Sequence, residues 1–262
     1  MNGSASRFAL ITGASSGIGA ALAEQYAANG YGLILSARRV GELNALAAKL
    51  QQAHGVDVDV IPADLGSVDG AEALAAAVSA SKRPLAALIN NAGYGLFGEF
   101  EQADLADTLR MMQLNMLAPV ALTHRLLPQL KQRRGHVMNV ASTAAFQPGP
   151  YMAVYYATKS FVLNWSEALA EELRGSGVSV TALCPGPTAS GFQDRAAMHE
   201  SALVKGKRLP TSADVARYGY VAAARGQRVA IHGAMNWLLA QSVRFTPRRM
   251  VTMMVRLLSR PT

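Results

Sequence analysis

Short apolar runs alternate along the chain with longer segments in which apolar residues recur every three or four positions. The longer segments have the spacing of amphipathic helices. The short runs have the length of β-strands, and several are apolar at nearly every position, as in strands buried on both faces. They lie at residues 7–12, 32–36, 56–61, 85–89, 136–140, 178–183 and 228–231. This alternation predicts an α/β fold with a parallel sheet of about seven strands.

The order of the elements also predicts where a ligand binds. Right-handed crossovers with helices on both faces give a single doubly wound domain over residues 1–262. In such domains ligands lie beyond the carboxyl ends of the strands. Small, polar or charged residues occupy these ends, namely Gly13 to Gly19, Arg38, Asp64, Asn91 to Gly93, Ser142 and Pro185-Gly186.

The first strand leads into the glycine-rich turn Thr12-Gly-Ala-Ser-Ser-Gly-Ile-Gly19, which is followed by helical spacing. A strand, a glycine turn and a helix together are the usual context of a phosphate-binding loop. Gly13 can make the tight turn, Gly17 lets a pyrophosphate approach the backbone, and Gly19 lets the helix pack closely on the strand. The spacing departs from G-x-G-x-x-G, so an ordinary strand–helix turn is the alternative.

The second strand ends at Ser36-Ala37, where sites that prefer NAD generally place Asp or Glu against the ribose 2′-hydroxyl. Arg38 and Arg39 follow instead. Guanidinium groups match a 2′-phosphate in charge and in bidentate geometry. NADP(H) is therefore the expected cofactor, and the alternative is that both arginines simply begin a solvated helix.

Composition narrows the class of protein. Half of the residues are apolar and 16% are charged, which is typical of a folded globular protein. No apolar run reaches the length of a membrane span, the N-terminus lacks a signal-peptide pattern, and Cys184 is the only cysteine. These features predict a protein of the reducing cytoplasm. The five histidines are scattered without ligand spacing, so no metal site is expected.

Tyr155 precedes Lys159 by four positions in a segment with helical spacing. Residues four apart lie on the same face of a helix, so the ammonium group would lie close to the phenol. A free tyrosine, with a pKa of about 10, is a poor base at neutral pH, and a nearby cation lowers this pKa. Such a pair can pass a proton to or from a substrate oxygen. Tyr156 lies three residues from Lys159, so the spacing alone leaves two candidate phenols.

Over residues 7–235 the chain resembles the short-chain dehydrogenase/reductase family. Four motifs occur in the family's order, together with Asn115 and the Pro185-Gly186 turn: Thr12-Gly-Ala-Ser-Ser-Gly-Ile-Gly19, Asn90-Asn-Ala-Gly93, Ser142 and Tyr155-Tyr-Ala-Thr-Lys159. The resemblance implies a Rossmann fold and a homodimer or homotetramer. It also implies an NADP(H)-dependent oxidoreductase that interconverts a carbonyl and an alcohol by hydride transfer.

The resemblance implies a role for each matching residue. Tyr155 is the general acid in carbonyl reduction and the base in alcohol oxidation, and the interval from Ser142 selects it over Tyr156. Lys159 lowers the pKa of Tyr155 and bonds the nicotinamide ribose. Ser142 holds the substrate oxygen, and Asn115 supports a water in the proton relay. The expected cofactor contacts are Gly13, Ser15, Ser16, Gly17, Ile18, Gly19, Arg38, Arg39, Asp64, Leu65, Asn91, Ala92, Gly93, Tyr155, Lys159, Pro185, Gly186, Thr188 and Ser190.

The substrate is less closely defined. Apolar residues near the expected site, together with a substrate loop at about 189–210, predict a small apolar carbonyl or alcohol and no nucleic acid. Two alternatives stay open. One is a reductase of carrier-bound 3-oxoacyl thioesters in lipid metabolism, and the other is a non-catalytic NADP(H)-sensing binding protein.

Positive charge is concentrated near the C-terminus. The net charge is +8, and residues 205–262 carry eleven Lys or Arg against the single acidic residue Asp214. Within this region, residues 247–260 predict a basic amphipathic helix, with arginines on one side and Met, Val and Leu on the other. Packing against the domain or a sister subunit is the expectation, and contact with a membrane surface is the alternative.

Overall fold

The central sheet of the computed structural model, which describes residues 7–189 and 209–259, has seven strands in the order β3-β2-β1-β4-β5-β6-β7. Every pair of neighbouring strands is parallel. The strands are β1 (Phe8–Thr12), β2 (Gly32–Ser36), β3 (Val58–Val60), β4 (Leu85–Asn90), β5 (His136–Val140), β6 (Ser179–Cys184) and β7 (Val229–Ile231). The predicted parallel sheet is confirmed.

Helices connect the strands and cover both faces of the sheet. They are α1 (Gly17–Ala28), α2 (Val40–His54), α3 (Gly70–Ala80), α4 (Leu105–Met112), α5 (Ala118–Arg133), α6 (Ala153–Glu172), α7 (Ser212–Ala224), α8 (Ala234–Ser242) and α9 (Arg248–Ser259). The sequence predicts one helix over about 105–117, but the structure ends α4 at Met112 and joins it to α5 by a π-helical turn, Gln113–Leu117.

Two apolar layers hold the helices to the sheet. On one face α1, α2 and α7 bury side chains such as Tyr26, Leu43 and Val215. On the other face α3 and α5 bury Leu74 and Leu126. Each of these side chains is almost fully shielded from water, and burial of one Leu contributes about 1.5–3 kcal/mol. The doubly wound Rossmann fold is thus confirmed, with the loops at the strand ends carried on a rigid sheet.

The order of the strands reverses between β1 and β4. The chain adds strands outward from β1 to β3 and then returns to place β4 on the other side of β1. Ligands of such sheets lie in the crevice at this point. Thr12, the last residue of β1, ties the two strand ends together. Its hydroxyl oxygen accepts hydrogen bonds from the backbone N–H groups of Asn91 and Ala92, each at 3.0 Å.

Some predicted boundaries need correction. The Ala-rich sequence predicts a helix from about Ser67 to Ala80, but it begins at Gly70, because the backbone N–H and hydroxyl of Ser67 both bond the carbonyl of Asp64 and make a turn there. The strand predicted over residues 56–61 is only Val58–Val60 and lies at the sheet edge. Helix α8 is not among the predicted elements.

The predicted C-terminal helix is present as α9. Fewer of its residues pack against the domain than expected. Only Val251, Val255 and Ser259 are buried. Most of the apolar side is exposed, namely Met250, Met253, Met254, Leu257 and Leu258. Arg260 lies outside the described residues. Within residues 7–189 and 209–259, the structure has no helix whose length and apolar character would let it cross a membrane.

Candidate functional site

A cavity of about 1480 Å³ opens at the carboxyl ends of the strands. Its walls are the glycine turn after β1, the ends of β2, β4, β5 and β6, the start of α6, and α8 and α9 on the far side. Drug-sized ligands occupy pockets of roughly 300–1,000 Å³, so this cavity has room for an extended ligand or for two ligands side by side.

Almost all residues predicted for the site meet in this cavity. Asn115 is buried behind its wall, and Ser190 and most of the predicted substrate loop lie outside the described residues. The predicted residues that line the cavity are Gly13, Ser15, Ser16, Gly17, Ile18, Gly19, Arg38, Arg39, Asp64, Leu65, Asn91, Ala92, Gly93, Ser142, Tyr155, Lys159, Pro185, Gly186 and Thr188.

The glycine turn has the shape expected of a phosphate-binding loop. Gly13 and Gly17 have positive φ angles of 66° and 58°, which favour glycine. A Cβ on Gly19 would lie 2.3 Å from the carbonyl oxygen of Gly13, so the close approach of α1 requires glycine. Ser16 precedes α1 without capping it by its side chain. The N–H groups of the first helical turn, which have no partner inside the helix, therefore suit an anion.

At the end of β2 the charges suit a phosphate. Arg39 donates to the hydroxyls of Ser15 and Ser16 at 3.1 and 2.9 Å, and it pairs with Glu42 at 3.4 Å. Arg38 makes no hydrogen bond or ion pair with the described part of the chain, although it lines the cavity. The hydroxyl of Ser36 is buried beside it and has no hydrogen-bond partner among the described residues. This corner therefore offers a guanidinium and a hydroxyl to a bound group.

The next corner of the cavity is held by Asp64. Its carboxylate accepts a hydrogen bond from the Gly66 N–H at 3.0 Å and forms an ion pair with Arg110. Burial opposes ionisation of this carboxyl group, but the Gly66 N–H and the Arg110 guanidinium outweigh burial and lower its pKa. Arg110 is absent from the predicted site, because nothing in the sequence links residues 46 positions apart.

Ser142 and Tyr155 meet at the centre of the cavity. Ser142 follows β5 and accepts a hydrogen bond from the Ala144 N–H at 3.1 Å, while Tyr155 lies in the first turn of α6. The Ser142 hydroxyl lies close enough to the Tyr155 phenol to affect its pKa. A carbonyl oxygen that enters here could therefore meet two hydroxyl groups held in fixed positions.

Lys159 lies one helical turn beyond Tyr155 and is buried. Its ammonium donates a hydrogen bond to the carbonyl oxygen of Val140 at 2.8 Å and lies 5.8 Å from the centre of the Tyr155 ring. Burial lowers the pKa of Lys159 to about 8. The ammonium is thus close to the phenol ring, as the spacing predicts, but its hydrogen bond goes to the backbone.

The expected lowering of the Tyr155 pKa is wrong for this structure. Burial raises this pKa well above its ordinary value; the nearby Ser142 hydroxyl lowers it only in part, and the neighbouring Tyr156 raises it. Lys159 is not among the groups that lower this pKa, and its ammonium donates its hydrogen bond to the Val140 carbonyl. Tyr155 therefore stays protonated over the physiological pH range and can serve as a proton donor.

Asn115 lies in the π-helical turn and joins three elements of the site. Its amide donates to the Tyr94 carbonyl at 2.9 Å and to the Thr158 hydroxyl at 3.1 Å, and its oxygen accepts from the Tyr94 N–H at 3.2 Å. Single π-turns within helices are frequent at functional sites. Gly93 lies between this amide and Lys159, since a Cβ there would be 3.0 Å from the Asn115 oxygen and 3.5 Å from the Lys159 nitrogen.

A family model described as short chain dehydrogenase matches residues 7–201, about three quarters of the chain. The chain belongs to the short-chain dehydrogenase family. The match contains the glycine turn, Ser142, Tyr155 and Lys159, which line the cavity, and Asn115, which is buried behind its wall.

Similar proteins cover nearly the whole length of this dehydrogenase. The serine 3-dehydrogenase of Agrobacterium fabrum is 35% identical over 229 residues, covering 85% of this chain and 90% of that protein. The structure of a short-chain dehydrogenase from Sphingobium yanoikuyae in complex with NADPH is 34% identical, has a TM-score of 0.81, and covers 91% of this chain and 94% of its own. The bulky-bulky ketone specific alcohol dehydrogenase from Comamonas testosteroni is 31% identical, with a TM-score of 0.77 and coverage of 91% and 92%.

Several cavity residues of the dehydrogenase are absent from the sequence prediction. They are mostly apolar and come from α8, α9 and the turn before α6: Met152, Met235, Leu239, Val251, Met254 and Leu258. Apolar side chains carry no chemical signature of a site, so only the fold can place them there. Tyr156 also lines the cavity and packs against Gly149, where a Cβ would lie 2.3 Å from the Tyr156 ring.

The thiol of Cys184 is buried, so it is a poor nucleophile in this structure. Burial raises the pKa of the Cys184 thiol to about 12, so the thiolate is scarce at neutral pH. Within residues 7–189 and 209–259, no three side chains of His, Cys, Asp or Glu form a group that could hold a metal ion. Thr188 donates a hydrogen bond to the Gly186 carbonyl at 2.9 Å beside the cavity.

Proposed function

We propose that this dehydrogenase is an NADP(H)-dependent oxidoreductase that interconverts an apolar ketone or aldehyde and the corresponding alcohol. One observation carries the proposal. The neighbouring hydroxyls of Ser142 and Tyr155 lie in the same cavity as the phosphate-binding turn at Gly13 to Gly19, with buried Lys159 beside the phenol. A proton donor and a dinucleotide cradle in one cavity suit carbonyl reduction.

The cavity residues fit a nicotinamide dinucleotide. The glycine turn and the first turn of α1 suit the pyrophosphate. Arg38 and the unpartnered Ser36 hydroxyl suit a 2′-phosphate. The similar Sphingobium yanoikuyae structure contains NADPH, which agrees with this assignment. When bound, the nicotinamide supplies or accepts a hydride.

The protein's own residues handle the proton. In the reducing direction Ser142 holds the carbonyl oxygen and Tyr155 gives its phenolic proton to that oxygen, which becomes the hydroxyl oxygen of the alcohol. Because its pKa is raised, the phenol is in the donating form at neutral pH. Lys159 orients the cofactor ribose, and Asn115 positions Gly93 and the start of α6 through its three hydrogen bonds. In alcohol oxidation the same proton moves in the opposite direction.

The far end of the cavity favours an apolar substrate. Its apolar lining there is Met152, Tyr156, Met235, Leu239, Met254 and Leu258, interspersed with the polar side chains of Gln147, Asn236, Ser242 and Thr246. The similar Comamonas testosteroni enzyme acts on bulky ketones. We infer a carbonyl group with apolar substituents on at least one side.

The function can be tested by following NADPH oxidation across a library of ketones, aldehydes and 3-oxoacyl thioesters. Turnover of an apolar ketone or aldehyde supports the proposal. Turnover confined to thioesters would assign the enzyme to acyl reduction instead. NADPH binding without turnover of any compound would favour the sensing alternative.

Arg38→Ala tests the choice of cofactor. Loss of a charge-assisted bond to the 2′-phosphate costs about 1.5–3 kcal/mol, so we expect the KM for NADPH to rise about 10–100-fold. The KM for NADH, which lacks this phosphate, should change little. Steady-state kinetics with both cofactors measure the difference.

Arg39→Ala is the matched control for Arg38→Ala. Its guanidinium holds Ser15 and Ser16 in the glycine turn, so its loss should weaken both cofactors alike. An equal loss of NADPH and NADH affinity in Arg38→Ala would contradict the proposed 2′-phosphate contact.

A further inference from the structure

The last two helices expose an unusual amount of apolar surface. More than half of the large apolar side chains exposed in the described part of the chain lie between residues 235 and 258. Phe245 is 88% exposed, Leu257 70% and Met253 65%. We call this set the C-terminal surface; it consists of Met235, Trp237, Leu238, Leu239, Phe245, Met250, Met253, Met254, Leu257 and Leu258. Exposed apolar patches of this kind mark interaction sites.

The C-terminal surface is bordered by positive charge that has no counter-charge nearby in the chain. Arg244, Arg248, Arg249 and Arg256 are exposed, and none forms an ion pair with the described residues. The sequence contains no Asp or Glu after Asp214. A partner for this surface must therefore combine an apolar layer with negative charge.

Helix α9 carries the exposed apolar side chains and the arginines on separate parts of its surface. Val251, Val255 and Ser259 face the domain. At 3.6 residues per turn, Met253 and Leu257 lie on the opposite side, as an outermost apolar ridge. Arg249 and Arg256 flank this ridge on one side, and Met254 and Leu258 flank it on the other.

Met254 and Leu258 also line the cavity, as do Met235 and Leu239 of α8. All four are more than half exposed. The rim of the cavity is therefore part of the C-terminal surface itself. An apolar compound that leaves an apolar layer against this surface would reach the cavity without crossing water.

We propose that α8, the 3-10 turn Val243–Phe245 and α9 form a docking surface for an anionic lipid bilayer, with the rim of the cavity against the membrane. Interfacial helices with a basic flank and large apolar side chains bind in this way. The arginines would contact the lipid head groups, and the ridge would enter the boundary of the acyl chains. The inference goes beyond the proposed reaction, and its test needs no turnover.

Charge argues against a second copy of the chain as the occupant. A two-fold dimer through this surface would place the same patch against itself. It would bring Arg249 and Arg256 of one protomer close to the equivalent arginines of the other, with no carboxylate after Asp214 to neutralise them. An anionic bilayer supplies that counter-charge, at about 1 kcal/mol per basic residue near the surface.

Co-sedimentation of the full chain with vesicles tests the proposal. We expect binding to vesicles of phosphatidylcholine mixed with phosphatidylglycerol, weak binding to phosphatidylcholine alone, and loss of binding as salt rises. The double substitution Arg249→Ala and Arg256→Ala should weaken binding about 30-fold. The pair Met253→Glu and Leu257→Glu should weaken it more than about 10-fold even at low salt, because charge replaces the apolar ridge.

Val68→Glu is the matched control, since Val68 is 79% exposed and lies before α3, outside the C-terminal surface. This variant should sediment like the wild type. None of the four substituted surface residues lines the cavity, so NADPH binding should be unchanged in every variant.

Three results would overturn the proposal. One is equal sedimentation of the wild type with neutral and anionic vesicles. Another is a halved molar mass in solution for Met253→Glu with Leu257→Glu, without vesicle binding by the wild type, which would make the surface a subunit interface. Capture of an acidic protein without any vesicle binding would likewise replace the bilayer by that protein.

Discussion

Replacement of Tyr155 by phenylalanine is expected to lower kcat for NADPH-dependent carbonyl reduction about 1,000-fold, within the range of 10²–10⁴ that general acids contribute. The substitution removes one hydroxyl group, which lies beside Ser142, and keeps the ring that packs beside Tyr156. The cradle for the cofactor is unchanged, so the dissociation constant for NADPH should stay within a few-fold of the wild type. Turnover on an active ketone and a fluorescence titration with NADPH measure the two quantities.

Tyr156→Phe is the matched control, because the two tyrosines are adjacent and both are buried. The Tyr156 phenol lies near Ser259 of α9, and burial raises its pKa. We expect this variant to retain most of its turnover. If Tyr156→Phe lost turnover and Tyr155→Phe kept it, the proposed proton donor would be the wrong phenol.

The sheet could be predicted because its signal is local. Residues 32–36 and 136–140 coincide with β2 and β5, since every residue of these strands is buried and the apolar run records it. The start of α7 can likewise be predicted from the sequence, because threonine is a common N-cap residue. Thr211 caps the helix and exchanges hydrogen bonds with Asp214, a pairing that the sequence spacing reveals. Edge strand β3, only half buried, gives a weaker pattern and was predicted too long.

The candidate site could be predicted where a residue type has one dominant use. Glycines at a strand–helix turn and a Tyr/Lys pair carry such a signal, and the structure brings both to one cavity. Contacts between distant segments leave no comparable signal in the sequence. The ion pair of Asp64 with Arg110 and the bond from Lys159 to the Val140 carbonyl depend on the folded packing. Helix α8, apolar on most of its surface, also has no periodicity that would have marked it.

The direction of the shift in the Tyr155 pKa also could not be predicted from the sequence, because it depends on contacts between distant segments. Spacing alone reports that a cation lies one turn away, and so predicts a lowered pKa. Burial of the phenol acts in the opposite direction, and it is the sum of contacts from several parts of the chain. In the structure burial prevails. The sequence therefore predicts which phenol is the proposed proton donor, while its protonation state depends on the fold.

Lys159→Met is expected to reduce turnover at least 100-fold and, at the same time, to stabilise the fold at neutral pH. The reduction follows from loss of the only buried ammonium beside Tyr155 in the described part of the chain, with its proposed bond to the cofactor ribose. The gain in stability follows because the substitution removes a charge that is buried in the wild type. Methionine fills a similar volume without needing solvation, although the Val140 carbonyl loses its partner at a cost of about 1–3 kcal/mol.

The sign of the pH dependence follows from the lowered pKa of Lys159, about 8 against an ordinary 10.5. Below pH 8 the lysine is charged in both folded and unfolded states, so the full burial penalty, about 3 kcal/mol, destabilises the wild type. Between pH 8 and 10.5 the unfolded state binds more protons, so wild-type stability rises with pH relative to the variant. Urea denaturation at pH 7 and at pH 10.5 should therefore show the stability difference between Lys159→Met and wild type shifting by about 3 kcal/mol in favour of the wild type. An unchanged difference would mean that Lys159 is not buried as a charge, and its effect on turnover would then need another origin.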